Sequence, residues 1–104
     1  MTEQKIQNQI ILAINQRGHR LFRANAGKVI TRDNRVIKLL PKGFPDTFGY
    51  RKSDGKFIAI EVKTESGRLR PEQKKFKTFA ETQNILYGVA RSVEDAIKIV
   101  EGDS

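Results

Sequence analysis

The sequence predicts one α/β domain in which helices flank a mixed β-sheet. Apolar residues recur at helical spacing near both ends of the chain, and residues 57–63 form the apolar run of a buried strand. The predicted order of elements is a helix, about four strands, a helix, a strand and a helix. The chain has 104 residues without an internal repeat or linker, so a single domain is expected over residues 1–104.

The first half of the chain opens with a helix that Thr2 caps and Gly18 ends, and its inner face is formed by Ile6, Ile10 and Ala13 or Ile14. A strand is predicted over residues 20–25. A hairpin follows, because residues 28–31 and 36–39 flank the turn-prone residues 32–35. Two prolines and a glycine make residues 41–46 an irregular connection into a strand at residues 47–51.

The second half contains the strongest strand, residues 57–63, which follows a turn at residues 53–56 and is predicted to be central. Pro71 suits the first position of a helix to about residue 83, with an inner face of Phe76, Phe79 and Ala80. A strand at residues 85–90 comes next. Ser92 then caps a last helix with Glu94 and Asp95 in its first turn, and the inner face consists of Val93, Ala96, Ile97 and Val100.

The charge of the chain points to a polyanionic partner, with nucleic acid first among the candidates. Lys and Arg total 20 against 12 Asp and Glu, which gives a net charge of +8 and a pI near 10.1. Eight basic residues and one acid lie between Arg17 and Lys42. The first strand and the hairpin are therefore predicted to contact the phosphate backbone of DNA, with Arg32 and Arg35 at the hairpin tip. A solvated basic face without a partner is the alternative.

Several classes of protein are disfavoured by what the sequence lacks. There is no cysteine and one histidine, so disulfides, thiolate metal sites and histidine-based zinc sites are not expected. Any metal should be a hard cation held by carboxylates. No apolar run is long enough to span a bilayer, and no signal-peptide pattern is present, which predicts a cytoplasmic or other intracellular protein without a membrane partner.

Three residues form a candidate catalytic site. Glu61 and Lys63 end the strongest strand and share one of its faces, and antiparallel pairing across the turn at residues 53–56 would bring Asp46 beside Glu61. Two carboxylates suit Mg²⁺ or Mn²⁺, and a nearby ammonium can orient water or hold a phosphate. A Glu-x-Lys triplet alone is weak evidence, since three occur in the chain; the other two, at Glu3 and Glu72, fall at predicted helix starts. A turn aspartate and a strand-end ion pair are the alternative interpretation.

The chain also resembles the VRR-NUC (virus-type replication-repair nuclease) family. The residues that carry the resemblance are Gly43-Phe44-Pro45-Asp46, Glu61-Val62-Lys63 and Gln73 just after Pro71, together with Arg23-Ala24-Asn25-Ala26-Gly27 and the helical Glu3. The resemblance implies a restriction-endonuclease-like PD-(D/E)xK core. It also implies that Asp46 and Glu61 bind divalent metal, that Lys63 assists catalysis and that Gln73 supports the site.

Other members of the implied set have simpler explanations as well. Glu3 is implied as a further metal-site residue, although an acid in a first helical turn is favoured by the helix dipole in any protein. Asn25 and Gly27 also suit a turn. The predicted DNA-binding residues are Arg23, Asn25, Lys28, Arg32, Arg35, Lys42, Arg68 and Arg70.

The leading hypothesis is therefore a metal-dependent DNA endonuclease that cuts branched or structured DNA such as flaps and four-way junctions. The resemblance further implies a homodimer and leaves a virus-encoded origin open. Two alternatives remain: another PD-(D/E)xK resolvase or restriction-like nuclease, and a DNA-binding module that keeps the fold without the chemistry. Recognition by shape is expected, because the chain has no appended module that reads base sequence.

Overall fold

The computed structural model describes residues 1–26 and 28–102, and the side chain of Lys28 lies outside that description. The elements are α1 (Glu3–Gln16), β1 (Arg20–Arg23), β2 (Lys28–Ile30), β3 (Val36–Lys38), β4 (Thr47–Tyr50), β5 (Phe57–Val62), α2 (Pro71–Ala80), β6 (Leu86–Ala90) and α3 (Val93–Glu101). The predicted order of elements is confirmed, with five strands rather than about four between α1 and α2. α2 is three residues shorter than predicted, and β1 is two residues shorter. No helix in these two ranges is long and apolar enough to cross a membrane.

The main sheet has four strands in the order β1-β4-β5-β6. β4 pairs antiparallel with both β1 and β5, whereas β6 runs parallel to β5, so the sheet is mixed as predicted. β5 lies between two partners, and five of its six residues are buried. β2 and β3 form a separate two-stranded antiparallel ribbon. The predicted hairpin is therefore confirmed, but it stands apart from the main sheet.

One face of the main sheet is covered by α1 and α3, and this layer holds the hydrophobic core. Side chains of Ile10 and Ile14 on α1 meet Ile58 and Ile60 on β5 and Val100 on α3. The N-caps predicted from sequence are confirmed, because Thr2 accepts from Lys5 N and Ser92 accepts from Asp95 N, as capping hydroxyls do. Because α1 and α3 cover this face, a functional site that includes Glu61 has to lie on the opposite face of the sheet.

The opposite face of the sheet carries the aromatic side chains. Ring contacts join the six phenylalanines and Tyr87 into one ladder, from Phe22 and Phe57 at one side to Phe76 and Phe79 on α2. The inward orientation predicted for Phe79 is wrong, since its side chain is 57% exposed. α2 ends at Ala80 and reaches the sheet mainly through Gln73, Phe76 and Ala80, so Phe79 lies on its outer flank.

The end of the sheet at the β4–β5 turn is held together by polar contacts that the sequence does not reveal. Arg17 and His19 both bond to Glu101, at 2.9 and 2.6 Å, and together they lower the pKa of that carboxyl to about 2. Arg51 donates to the Val100 carbonyl at 2.9 Å. These contacts fix α3 to the sheet at the end remote from Asp46.

Candidate active site

Asp46 and Glu61 lie together because of the β4–β5 register. Thr47 pairs with Ile60, so Asp46, one residue before β4, comes opposite Glu61. The Asp46 carboxylate accepts a hydrogen bond from the backbone N–H of Val62 at 2.8 Å. The antiparallel approach predicted from sequence is confirmed, and the bond to Val62 holds the aspartate side chain against the end of β5.

The carboxyl of Glu61 is buried in a setting that opposes its charge. Its side chain is 1% exposed, and burial, a hydrogen bond with Asp46 and the charge of Asp46 raise the pKa of Glu61 to about 9. Lys63 acts in the opposite direction. In the absence of a cation, this setting therefore favours a proton on the Glu61 carboxyl. A divalent cation can replace that proton, so the pair fits a carboxylate-held Mg²⁺ or Mn²⁺.

Gln73 joins this pair to the start of α2. Its amide nitrogen donates to Glu61 at 3.2 Å, and its amide oxygen accepts from Arg70 N at 2.8 Å. The second bond satisfies a backbone donor at the helix N-terminus, which is the reciprocal half of a capping box. One buried side chain thus caps a helix and orients a carboxyl. In the sequence, this role corresponds to a glutamine at the third position of a helix that begins at Pro71. Glutamine at that position is common in helices without any catalytic role.

Gly43 explains the glycine of the Gly-Phe-Pro-Asp segment in physical terms. Its φ of +94° lies in the left-handed region that favours glycine, and an added Cβ would lie 2.6 Å from the backbone oxygen of Glu72. The loop can therefore pack against the first turn of α2 only with glycine at this position. This close approach brings Asp46 and Gln73 to the same site, and Pro45, just before Asp46 in the chain, is buried.

Lys63 follows β5 directly and is 5% exposed. Its backbone N–H donates to Ala90 O at 3.1 Å, which continues the pairing with β6. The loop after it is fixed by Arg91, whose guanidinium donates to the carbonyls of Thr64 at 2.5 Å and Gly67 at 2.7 Å. Nothing in the sequence marks Arg91 for this role, because its three carbonyl partners lie more than twenty residues away.

Glu3 stands at the edge of the site. It lies in the first turn of α1, is half-buried, and its charge contributes to the raised pKa of Glu61. Within residues 1–26 and 28–102, however, no three acidic or histidine side chains are grouped closely enough to hold a metal ion. The structure brings Asp46 and Glu61 together and leaves Glu3 as a neighbouring charge.

A cleft of about 470 Å³ opens beside the carboxylates, and both Asp46 and Gln73 line it. Lys42 and Arg70 stand at its edge, and Ala24 and Ala26 form the wall from which the ribbon departs. A second cleft of about 530 Å³ lies between the start of α1, residues 64–66 and the start of α3, away from Asp46. The first cleft is the better candidate site, because Asp46 and Gln73 line it and both bond to Glu61.

Two of the predicted DNA-binding residues line this cleft, and the others with a described side chain are exposed outside it. Lys42 and Arg70 are at the cleft, Arg23 and Asn25 are exposed near the base of the ribbon, Arg32 and Arg35 are at its tip, and Arg68 is exposed before α2. Three of the arginines have local partners: Arg23 bonds to Asn8, Arg35 pairs with Asp33 and Arg70 pairs with Glu72. The predicted contribution of the Lys28 side chain and the place of Gly27 lie outside the described residues.

A model of a known protein family matches most of the chain. The VRR-NUC domain model matches residues 2–94. The chain belongs to the VRR-NUC family. Among curated proteins, none matched the sequence. VRR-NUC membership gives the protein a nuclease-type function with DNA as its partner, and the paired carboxylates lie in the segment that the family model covers.

Proposed function

We propose that this VRR-NUC protein is a divalent-metal-dependent endonuclease that hydrolyses phosphodiester bonds in branched DNA, using a PD-(D/E)xK core. The observation that carries the proposal is the contact between the buried carboxyl of Glu61 and the half-buried carboxyl of Asp46, which lines a cleft with a basic edge. Asp46 and Glu61 would hold the cation, and Gln73 orients Glu61 for that task. Glu3 is a further candidate ligand, through water or directly.

The chain's own residues supply the remaining parts of the chemistry. A bound divalent cation stabilises charge at the phosphorus and makes water a better nucleophile. The ammonium of Lys63 lies close enough to Glu61 to act on its pKa, so it is placed to orient the attacking water or to hold the scissile phosphate. Lys42 and Arg70 provide positive charge for the flanking phosphates.

The test of this function is a cleavage assay on flap, four-way-junction, duplex and single-stranded DNA, with Mg²⁺, with Mn²⁺ and with chelator. Cutting is expected with either metal, fastest on branched DNA, and chelator should abolish it. Tight binding to every substrate without cutting under any metal condition would identify a DNA-binding module instead. Cutting of a defined base sequence in plain duplex would favour a restriction-like enzyme.

The exposed arginines at the ribbon tip provide a separate prediction. Arg32→Ala combined with Arg35→Ala should weaken binding equally for all sequences of a given DNA shape, because phosphate contacts release counterions without reading bases. The slope of log affinity against log salt should decrease by about 1.8, from roughly 0.9 per lost contact.

The matched control for the tip arginines is Lys52→Ala with Lys98→Ala. It removes the same charge near the β4–β5 turn and in the last turn of α3, at the end of the sheet remote from Asp46. Its salt slope should stay close to that of the unchanged protein. Equal loss of slope in both pairs would mean that net charge, rather than the ribbon tip, determines binding.

We also propose that the working unit is a homodimer. A four-way junction has two-fold symmetry, and a two-fold dimer presents two sites in matching geometry. The exposed Phe79, continuous with the aromatic ladder, is an apolar surface suited to the contact. Light scattering should give twice 11.8 kDa for the unchanged protein and 11.8 kDa for Phe79→Glu. A protein that cuts junctions while remaining at 11.8 kDa would contradict the dimer.

A further inference from the structure

The ribbon of β2 and β3 projects from the body of the protein. Each of its strands has three residues, and they pair with each other rather than with the main sheet. The base is attached where Leu40 N donates to Asn25 O at 3.0 Å, beside a bridge between Ala26 and Leu40. An isolated two-stranded hairpin is marginal in water, so a ribbon of this kind needs a partner to cover it.

The exposed side chains of the ribbon are unusually apolar for a surface element. The cross-strand pair Ile30 and Val36, next to the turn, is 67% and 56% exposed, and the pair Val29 and Ile37 on the other face is 47% exposed at each residue. Because successive strand residues point to opposite faces, both faces of the ribbon are apolar. Folding of this chain alone buries neither pair. The more exposed pair, Ile30 and Val36, marks a binding site.

The turn at the tip is ordered by its own hydrogen bonds. Thr31 N donates to Arg35 O at 2.8 Å, and Arg35 N donates to the Thr31 hydroxyl at 3.1 Å. Asn34 takes a φ of 63°, which asparagine tolerates better than most residues. The tip therefore presents Ile30 and Val36 on a defined scaffold rather than on a loose loop.

The charge around the ribbon identifies its occupant as DNA. Arg32, Arg35 and Lys38 are exposed on it, Lys42 follows its base at the edge of the cleft, and Asp33 is the one acid between residues 28 and 42. A second copy of the ribbon would bring like charges together, which disfavours that occupant. The ribbon also leaves the cleft wall at Ala26 and returns to it at Lys42, so DNA in the cleft would lie against its base.

We propose that the ribbon is a DNA wedge, in which Ile30 and Val36 enter the base stack while Arg32 and Arg35 contact the phosphates on either side. Apolar side chains inserted between base steps are a known way for proteins to kink DNA, at the cost of unstacking. That cost is smallest where stacking is already interrupted. The wedge therefore selects nicks, flaps and junctions over continuous duplex. This inference rests on the proposed function in so far as DNA occupies the cleft.

The experiment measures unstacking directly and without cleavage. Flap and junction DNA carry 2-aminopurine at the branch point, and a continuous duplex carries it at the same position; protein is added in EDTA. The test variant is Ile30→Thr with Val36→Thr, which keeps β-branched side chains and so favours the strand while removing apolar surface. The matched control is Val29→Thr with Ile37→Thr, which makes the same chemical change on the other face, one pair further from the tip.

The unchanged protein and the control should raise 2-aminopurine fluorescence on branched DNA, and the test variant should lose most of that rise. Affinity of the test variant for branched DNA should fall about tenfold, with a much smaller change for continuous duplex. Circular dichroism should show that both variants fold. An unchanged fluorescence rise in the test variant would overturn the wedge. So would a fall in its mass by light scattering with DNA affinity unchanged, because the pair would then cover a second copy.

The outcome is separable from that of the proposed function. The fluorescence rise in EDTA needs no metal and no catalysis, whereas cutting with Mg²⁺ or Mn²⁺ does. A wedge signal without cutting would leave the inference standing and reject the nuclease. Cutting of branched DNA without a fluorescence rise would reject the wedge and leave the nuclease function standing.

Discussion

Glu61→Gln is expected to abolish DNA cleavage while leaving the fold and DNA binding in place. The new side chain keeps the shape of the old one: its amide oxygen accepts from Gln73, and its amide nitrogen donates to Asp46. The substitution removes an anionic ligand for the cation. Loss of about 4 kcal/mol of transition-state stabilisation corresponds to a rate about a thousandfold lower. Asp46→Asn should behave alike, because its remaining oxygen still accepts from Val62 N.

Single-turnover cleavage of junction DNA, with protein in excess, measures this effect apart from binding. Affinity is measured in EDTA, and thermal unfolding is followed with and without Mn²⁺. The melting temperature of the unchanged protein should rise with Mn²⁺, and that of Glu61→Gln should not. Glu65→Gln removes an exposed carboxylate just past Lys63 and serves as the control. Wild-type cutting by Glu61→Gln would place the chemistry elsewhere.

Substitution of Lys63 is expected to cause the second large loss of cleavage rate. Lys63→Ala should lower the single-turnover rate by about a hundredfold or more, since the ammonium serves charge that develops in the transition state. Lys63→Arg should fail as well, because a guanidinium differs in shape and hydration and the side chain is 5% exposed. Lys63→Met keeps most of the buried stem and separates packing from charge.

The rate of cutting and the affinity for DNA must be measured separately for these lysine variants. The rate should fall far more than the affinity, since one lysine contributes little to total phosphate contact. Lys98→Ala on α3 removes the same charge at the end of the sheet remote from Asp46 and should cut normally. Near-normal cutting by Lys63→Arg would mean that charge alone suffices at this position.

Local sequence determined most of the secondary structure. The positions of the helices follow from apolar periodicity and from the capping hydroxyls of Thr2 and Ser92, which act within one turn of the chain. The ribbon follows from β-branched runs around a turn-prone segment. The approach of Asp46 to Glu61 was also predicted from sequence, because a short turn places β4 and β5 side by side.

The tertiary structure alone decided how these parts act together. Three contacts join segments that are distant in sequence. They are the hydrogen bond from Gln73 to Glu61, the approach of Gly43 to the backbone of Glu72, and the hydrogen bonds from Arg91 to the loop after Lys63. The raised pKa of Glu61 likewise depends on burial that no local pattern encodes. The exposure of Phe79 and the separation of the ribbon from the main sheet have the same origin. Periodicity tells which residues share a face, and packing between distant segments decides which faces are covered.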